Sequence, residues 1–459
     1  MNRTEVEEII KKNDIEFIRI EIVDLHGISR IYTTPVVTFL KNEKIFEFQT
    51  PGCVTAFKTN SEIQFWTDQQ MDYIISNITA TPDLLTFKAL PWMENTARVL
   101  YDLSYPGPGR AELNYQQLSC RQQCKTQIQK LRDMGFQLYS AFEYEFYLVN
   151  KDTMKPIYEE NNFCAMSSSE MSRPVAYDVM RNMLKVGMEP EIHDTEFRPG
   201  QQEITMVPSY GVQSSDNVIL YKQIVKDIAT QHSMKALFLS KPFPKVAGCS
   251  NHFNHSLLEL KSGTNPFYDA DQPDKMSKIF KNWLAGLQEH AKALTALFCV
   301  TTNCFERLKV NSFAPTNDSW GYDNRTTCFR VKNEGPSGTY LESRIPGAAS
   351  NPYLVMTGCL IAGMDGIKRD LQLKSKPYPG NLYEAEELPE GVEDLPGSME
   401  EAVQCLEKDK ILSEELGDVF MKCYPSLKRA EIELWKDVDN DKNVESKWEQ
   451  YRKRLGLFL

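Results

Sequence analysis

Six residues that could bind metal ions are spread between positions 143 and 342, and each lies within a short polar segment. This spacing constrains the fold, because the ligands of a common metal have to meet in space. Carboxylate oxygens suit Mg²⁺ or Mn²⁺, and arginines beside the later phrases suit phosphate or carboxylate groups. The combination predicts phosphoryl chemistry on a small acid. The six residues are Glu143, Glu145, Glu196, Glu203, His252 and Glu342.

The segment 136–148 alternates in polarity and is predicted to be a strand. Side chains two residues apart share one side of a strand, so Glu143 and Glu145 face together, with Phe142 and Phe146 on the other side. Two neighbouring carboxylates repel each other unless a cation or an arginine neutralises them. A metal site is one interpretation, and a pair of solvent-facing glutamates on an edge strand is the other.

The second pair of carboxylates flanks a predicted turn. Glu196 and Glu203 lie on either side of a segment that contains Pro199 and Gly200, so a hairpin would bring them together. The alternative is ordinary loop polarity. His252 follows an apolar strand in a segment rich in Gly, Ser and Asn, and both a ligand role and a structural role stay open for it.

Arginines are concentrated in the second half of the chain. The segment 326–330 is predicted to be a strand, with an arginine directly before it, and the alternation over 339–344 places Glu342 and an arginine on one face. Clustered arginines repel one another unless an anion binds, although a surface salt bridge would explain any single one. The four are Arg307, Arg325, Arg330 and Arg344.

Composition argues against several classes of protein. The 459 residues carry a net charge of −11 without a long basic stripe, which argues against nucleic acid as a partner. No apolar run is long enough for a membrane span, and the charged N-terminal segment does not resemble a signal peptide. Eleven cysteines without a CxxC pair favour free thiols over zinc or disulfides. A cytoplasmic location is therefore expected.

Turn-forming and helical signals divide the chain. A Pro/Gly-rich stretch at 105–109 separates a small α+β unit from the remainder. Thr4 is a candidate cap for a first helix that runs to Ile9. The other predicted elements are strands over 16–23 and 29–37, a helix over 115–134, a connector over 371–398, and helices over 399–408, 413–425 and 426–454.

Together, these sequence motifs indicate a protein family far more specifically than any one of them does alone. Their order strongly resembles the glutamine synthetase family, most closely its class I branch and, within that, the divergent lengsin-like and glutamate–amine ligase members. Segments 24–30, 381–383 and 396–402 resemble the ends of that family's chain, so the resemblance covers nearly the whole sequence. The central phrases are Glu143-x-Glu145, Gly200-Gln201-x-Glu203, Gly248 with His252, Glu342-x-Arg344, and Asn351-Pro352-Tyr353-Leu354.

The resemblance implies an α+β fold: a β-grasp domain over 1–105 and a catalytic domain over 110–459 with a mainly antiparallel sheet and C-terminal helices. It implies a homo-oligomer, a ring-based dodecamer with active sites shared between subunits. It also implies that ATP phosphorylates the γ-carboxylate of glutamate and that an amine then displaces the phosphate. The expected partners are these small molecules and Mg²⁺ or Mn²⁺, two or more ions per site, and neither nucleic acid nor a membrane.

The family's functional residues map onto matching positions. The resemblance assigns one metal to Glu145, Glu196 and Glu203, and the other to Glu143, His252 and Glu342. It assigns substrate binding to Arg307, Arg344, Gly248 and the position of Ala247. It assigns neutralisation of the transferred phosphate to Arg325 and Arg330. It assigns nucleotide contacts to Glu191, Ser256, Arg330 and the position of Asn254.

The departures from the family pattern concentrate at the amine pocket. The family's Asp-Gly-Ser-Ser loop is missing, and segment 46–53 stands in its place. Phe313 occupies the flap position where the family has a glutamate, Ala247 replaces an asparagine, and Asn254 replaces a histidine. An ammonium ion needs carboxylates around it, so a larger and less acidic pocket favours an organic amine.

Three hypotheses about function follow from these matches to the family pattern and departures from it. The first is an ATP-dependent ligase that makes a γ-glutamyl amide from glutamate, or a related acid, and an organic amine. The second is a catalytically inactive, lengsin-like structural or scaffold protein, which the lost acids favour and the complete set of six ligands opposes, because unpaired buried carboxylates are destabilising. The third is a plain glutamine synthetase.

Overall fold

Two β-sheets and a set of helices make up the part of the chain that the structure describes. The computed structural model describes residues 1–41, 47–64, 77–104, 115–159, 163–244, 247–309 and 312–457. The Pro/Gly boundary predicted at 105–109 lies outside these residues, as do Phe46 and Asn311.

The first sheet has the strand order β2-β1-β6-β4-β3, with β5 paired to β6. Strands β1 and β6 run parallel, and the other described pairs are antiparallel. Buried side chains such as Ile18, Ile20 and Val99 form its core face. The strands are β1 (Phe17–Val23), β2 (Ser29–Pro35), β3 (Phe48–Pro51), β4 (Asn77–Pro82), β5 (Lys88–Ala89) and β6 (Thr96–Ser104).

The second sheet has the order β13-β14-β15-β12-β7-β9-β8, and β10 and β11 also pair with β7. All of its described pairs are antiparallel except β13 with β14. Its strands are β7 (Phe136–Asn150), β8 (Pro190–Thr195), β9 (Gln201–Met206), β10 (Ser209–Tyr210), β11 (Met234–Leu237), β12 (Asn251–Glu259), β13 (Trp320–Tyr322), β14 (Phe329–Asn333) and β15 (Thr339–Ser343).

Helices pack against this second sheet and against one another. None of the helices in the described ranges is both long and apolar enough to cross a membrane. They are α1 (Arg3–Lys12), α2 (Val36–Phe39), α3 (Cys120–Asp133), α4 (Met166–Lys185), α5 (Gln213–Gln231), α6 (Lys278–Phe298), α7 (Thr302–Phe305), α8 (Pro352–Lys368), α9 (Met399–Lys408), α10 (Lys410–Leu416), α11 (Asp418–Asp439) and α12 (Val444–Arg454).

Strand β7 is central to the architecture, because it pairs with β9 on one side and β12 on the other. Tyr144 and Phe146 pack against Phe238, with ring centroids 6.1 and 5.5 Å apart, and all three side chains are buried. These aromatic side chains form the core face, so Glu143 and Glu145 point to the opposite side, as the alternation predicted.

The turn between β1 and β2 joins the first sheet to the rest of the molecule. Asn351, the N-cap of α8, donates from Nδ2 to the carbonyl of Asp24 at 3.1 Å. Gly27 adopts φ +80°, and a Cβ there would meet the Cα of Asn351 at 3.1 Å. A glycine is required on both counts, since other residues strain at this φ and would crowd the cap.

The α+β class and the mainly antiparallel second sheet are confirmed, and several predicted element boundaries are wrong. Asn2 caps α1 instead of Thr4, in a capping box with Glu5. The strand predicted from 326 begins at Phe329, because the preceding residues form a turn around Asn324. The C-terminal helices break at Gly417, with φ +86°, while Pro425 lies within α11.

A buried histidine joins α6 to α8 and to the cap residue between α9 and α10, and it is expected to make stability depend on pH. His290 on α6 lies 2.6 Å from a carboxylate oxygen of Asp409 and 3.0 Å from one of Asp365. Burial alone would lower the pKa of His290, but its hydrogen bonds and attraction to these two carboxylates outweigh burial and raise it.

His290→Gln is therefore expected to lower the melting temperature most at acidic pH. A raised folded-state pKa gives stability that is complete below the unfolded pKa of about 6.5 and is lost as pH rises through the folded value. At pH 6 the loss is expected to be about 3 kcal/mol. Thermal unfolding of both proteins from pH 5.5 to 9, with His232→Gln as a partly exposed control, measures this difference. A difference that stays constant with pH would contradict the charged-histidine account.

Candidate active site

A cavity of about 520 Å³ opens on the polar side of β7 and contains most of the predicted site residues. Twelve of them line it, while Glu342 lies behind the wall and contacts lining residues through hydrogen bonds. The lining residues from the prediction are Glu143, Glu145, Glu196, Glu203, His252, Ala247, Gly248, Arg307, Arg325, Arg330, Arg344 and, at the mouth, Phe313.

The first candidate metal cluster is formed by a cross-strand pair and a turn residue. Glu145 on β7 lies directly opposite Glu203 on β9, and Glu196 follows β8 at the adjoining turn. These three residues offer oxygen atoms that lie within 4.8 Å of one another. Gln201 Nε2 donates to Glu145 Oε2 at 2.5 Å, and the Ser250 amide donates to the same oxygen at 3.0 Å. Both contacts fix the orientation of this carboxylate.

The three carboxylates disfavour one another when no cation is present. Burial, then repulsion from Glu143, Glu145 and Glu196, raises the pKa of Glu203 well above its usual range. Burial and repulsion from Glu145 and Asp194 raise the pKa of Glu196 to about 8. A divalent cation would relieve this repulsion, so the donor set fits a metal ion with hard oxygen ligands.

The second candidate metal cluster has one imidazole and two carboxylates. Strand register places His252 opposite Glu143, and His252 Nδ1 lies 3.5 Å from Glu143 Oε2 and 3.1 Å from Glu342 Oε1. Burial, then the charge of Arg344, lowers the pKa of His252 well below its usual range. Its Nε2 is buried without a hydrogen-bond partner among the described residues. A neutral imidazole beside two carboxylates is a suitable ligand set for a divalent ion.

Two arginines hold Glu342 in its charged form. Arg330 Nη1 donates to Glu342 Oε2 at 2.8 Å, and Arg344 Nη1 donates to the other carboxylate oxygen. Burial would raise the pKa of Glu342, but attraction to Arg344, together with that to Arg330, outweighs burial and lowers the pKa. Arg325, in the turn before β14, is exposed and forms no ion pair with any described carboxylate. It remains available to an anion in the cavity.

Arg307 is held at the base of the cavity by main-chain oxygens. Its guanidinium donates to the carbonyls of Ile345 at 2.9 Å and Arg344 at 3.2 Å. Gly248 lies against it, because a Cβ at that position would meet Arg307 Cγ at 2.7 Å and the Ser240 carbonyl oxygen at 2.4 Å. The glycine therefore allows the close approach of this arginine, which explains its place in the motif.

A second cavity of about 320 Å³ adjoins the first and shares Glu143 with it. Three residues predicted to contact a nucleotide, Glu191, Asn254 and Ser256, line this second cavity. Asn254 Nδ2 donates to Glu143 Oε1 at 2.7 Å, so one hydrogen bond connects the two cavities. The structure thus brings these three residues together beside the second metal cluster, whereas Arg330, the fourth predicted nucleotide contact, lines the first cavity.

An aromatic wall along the first cavity was missed by sequence reasoning. Phe163, Phe197 and Phe313 stack in series, with centroids 4.4 Å apart for the first pair and 5.7 Å for the second, and interplanar angles of 13° and 21°. Each ring is about half exposed. Phe313 adopts φ +57°, a strained value for a non-glycine residue. The sole sequence signal was the substitution at Phe313, since Phe163 and Phe197 lie in irregular segments.

One further carboxylate lines the cavity that was not among the predicted ligands. Asp194 on β8 lies opposite Glu203 in register. Burial and repulsion from Glu145 and Glu143 raise its pKa. Its position within the motif that ends at Glu196 was visible in the sequence, but strand alternation alone did not indicate that it would face the cavity.

The model of the glutamine synthetase catalytic domain matches residues 117–448 of this chain. That match covers well over half of the sequence. The chain belongs to the glutamine synthetase family. Family membership accounts for the order along the sequence of the motifs that contain the predicted metal ligands. The match also confirms the family resemblance that these motifs indicated.

Individual relatives within the glutamine synthetase family span almost the whole chain. A glutamate–isopropylamine ligase of a Pseudomonas species is 29% identical, covering 97% of this chain and 96% of its own. Lengsin of Rattus norvegicus is also 29% identical, covering 93% of this chain and 74% of its own. The solved structure of a GmaS complex with ADP aligns with a TM-score of 0.81 at 24% identity over 98% of this chain and 99% of its own, and shows the shared fold.

Proposed function

We propose that this protein is an ATP-dependent ligase that joins glutamate to an organic amine through a γ-glutamyl phosphate, giving a γ-glutamyl amide. The observation that carries the proposal is the aromatic wall of Phe163, Phe197 and Phe313, which lies in the same cavity as both metal clusters and the arginines. The charged part suits phosphoryl transfer, and the wall suits the apolar body of an amine.

Each charged group has a distinct role in this proposal. Mg²⁺ or Mn²⁺ ions, at least two per site, would polarise the phosphate oxygens when bound to the two clusters. Arg325 and Arg330 neutralise the charge of the transferred phosphoryl group, and Arg307 and Arg344 hold the carboxylates of glutamate. Glu191, Ser256 and Asn254 contact the nucleotide in the second cavity.

The aromatic wall sets the amine preference in this proposal. Phe313 occupies the flap position at which a glutamate would close the ammonium site. Three stacked rings instead present apolar surface, where each additional methylene of an amine gains roughly 1 kcal/mol or more. The name of the glutamate–isopropylamine ligase, a relative over 97% of the chain, supports an alkylamine as the acceptor.

The same proposal includes the domain boundaries and the oligomeric state that the family resemblance implies. Residues 1–105 form a β-grasp domain and residues 110–459 the catalytic domain, and the chain assembles into a ring-based dodecamer in which neighbouring subunits share active sites. The cytoplasm is the proposed location. All eleven cysteines are free thiols, which supports a reducing compartment.

A lengsin-like scaffold without activity is the alternative, and the buried carboxylates argue against it. Glu145 is 8% exposed, yet it shares its cluster with two further carboxylates whose pKa values are raised. Like charges buried together destabilise a protein that binds no cation. A scaffold has no need to carry such a group, whereas a metal-dependent enzyme does.

Phosphate release from ATP tests the proposal, with Mg²⁺ or Mn²⁺, glutamate, and ammonia, methylamine, isopropylamine or benzylamine as acceptors. We expect an alkylamine or benzylamine to exceed ammonia in kcat/KM by at least about tenfold, with the γ-glutamyl amide identified by mass spectrometry. Phe313→Glu should reduce that preference about tenfold, because it restores a carboxylate and removes apolar surface.

Tyr177→Glu is the matched control, since this ring is 46% exposed on α4 outside the cavity. It should leave the amine preference unchanged. Turnover with ammonia alone would contradict the organic-amine assignment. Folded, assembled protein that releases no phosphate with any amine would favour the scaffold alternative.

A further inference from the structure

A third cavity, of about 300 Å³, lies outside the two cavities assigned to the reaction. It is formed by the end of β7, the turn between β8 and β9, the segment before residue 245, and helix α12. Its walls combine basic side chains with a larger apolar and aromatic part. We propose that it binds a small organic anion, in which a carboxylate or phosphate group is joined to an aromatic or aliphatic body.

The charge of this cavity is unbalanced. Lys155, Arg198 and Arg452 line it, and Glu445 is the one carboxylate among its lining residues. None of the three cations forms an ion pair with a carboxylate in the described ranges. The Nε atoms of Arg198 and Arg452 are buried, and no atom of the described residues forms a hydrogen bond with either of them. Three basic side chains gathered around a concavity that contains a single carboxylate attract an anion, and guanidinium groups suit carboxylate and phosphate oxygens.

The apolar part of the cavity is centred on Phe243. The Arg452 guanidinium carbon lies 4.8 Å from the centroid of this ring, and the Tyr147 ring lies 5.1 Å away at 58°. Arg452 also donates from Nη1 to the Pro242 carbonyl at 3.1 Å, which fixes its position over the ring. Met154 and proline side chains complete the wall. An anion with a flat or aliphatic body can therefore pair its charge with the arginines and pack its body on Phe243.

The site shares a wall with the substrate cavity. The Tyr147 hydroxyl oxygen lies 3.5 Å from Gln201 Oε1 and 3.4 Å from the Ala247 carbonyl oxygen, either of which can accept its one hydrogen bond, and both of these residues line the first cavity. Gln201 in turn holds Glu145. Gly200 lies in the turn between β8 and β9, so close to β7 that a Cβ at this position would meet the Leu148 carbonyl oxygen at 2.6 Å. A ligand that contacts Tyr147 thus lies one hydrogen bond from a residue that positions the first metal cluster.

Calorimetric titration with phenyl phosphate tests the site, in the presence of saturating ADP, Mg²⁺ and glutamate so that the proposed nucleotide, metal and glutamate positions are occupied. We expect saturable binding to the wild-type protein with a Kd below about 1 mM. Arg452→Gln should weaken the binding of phenyl phosphate at least tenfold. Arg452→Lys, which keeps the charge, is a second variant in case the first is unfolded, and melting temperatures check both.

Two comparisons define what is bound. Phe243→Leu should weaken the binding of phenyl phosphate but leave the affinity for inorganic phosphate unchanged, because this substitution removes the aromatic surface alone. Phenylacetate measured in parallel distinguishes a carboxylate from a phosphate ligand. Arg181→Gln, an exposed arginine on α4, is the control and should have no effect.

Equal affinity of the wild-type protein and a folded Arg452→Gln variant would overturn the proposal. So would the absence of saturable binding of both phenyl phosphate and phenylacetate to the wild-type protein. These readouts are independent of turnover, so failure of the ligase proposal would leave this test interpretable.

Discussion

Glu203→Gln is expected to abolish amine-dependent phosphate release while raising the melting temperature of the metal-free protein. Glu203 lies directly opposite Glu145, and burial and four neighbouring carboxylates raise its pKa well above the usual range. A neutral side chain of the same shape relieves that repulsion and stabilises the fold by about 1 kcal/mol. The same change removes a proposed metal ligand, so turnover should fall by about a thousandfold or more.

Mn²⁺ titration by thermal unfolding separates the two effects. The wild-type protein should gain stability with rising Mn²⁺, because an ion that binds only the folded state stabilises it, and Glu203→Gln should gain much less. Glu170→Gln, a glutamate 57% exposed on α4, is the matched control and should behave like the wild type. Near-normal turnover of Glu203→Gln, or a lower melting temperature without metal, would contradict the cluster as assigned.

The second large effect is expected at Arg344, where loss of the guanidinium should reduce both stability and turnover. Arg344 is 4% exposed and donates to Glu342, which is 2% exposed. Arg344→Gln leaves that carboxylate with Arg330 as its remaining arginine, which should destabilise the fold by about 3 kcal/mol. It also removes a proposed contact to glutamate, so kcat/KM for glutamate should fall by at least about a hundredfold.

A double-mutant cycle distinguishes the structural role of Arg344 from its role in turnover. Arg344→Gln combined with Glu342→Gln removes the unpaired charge, so much of the lost stability should return. Turnover should not return, because both a substrate contact and a metal ligand are then absent. Arg344→Lys should restore charge but little activity, since an ammonium cannot form the two-pronged contact of a guanidinium. Recovery of activity in the double variant would refute the proposed roles.

Much of the local pattern at the site was predictable from the sequence. Alternation in β7 placed Glu143 and Glu145 on one side and the aromatic residues on the other, because a strand has a period of two. The turn between Glu196 and Glu203 was predicted from its Pro and Gly, and the hairpin of β8 and β9 confirms it. The family resemblance, confirmed by the match over residues 117–448, supplied the order in which the phrases combine.

Element ends were less predictable, for reasons that are visible in particular residues. The sequence predicts a helix end at Pro425, but this proline lies within α11, and Gly417 instead provides the break at φ +86°. Asn2 caps α1 because its side chain and that of Glu5 satisfy each other's backbone groups. Thr4 has the right chemistry for a cap but lies inside the first turn.

The sequence by itself determined which residue types the site contains and which side of each strand they occupy. Tertiary structure decided their partners: register placed Glu145 against Glu203, His252 against Glu143, and Arg330 against Glu342. It also built the aromatic wall and the basic third cavity, whose residues come from loops and distant helices. No periodicity links such residues, so only the packing of the folded chain brings them together.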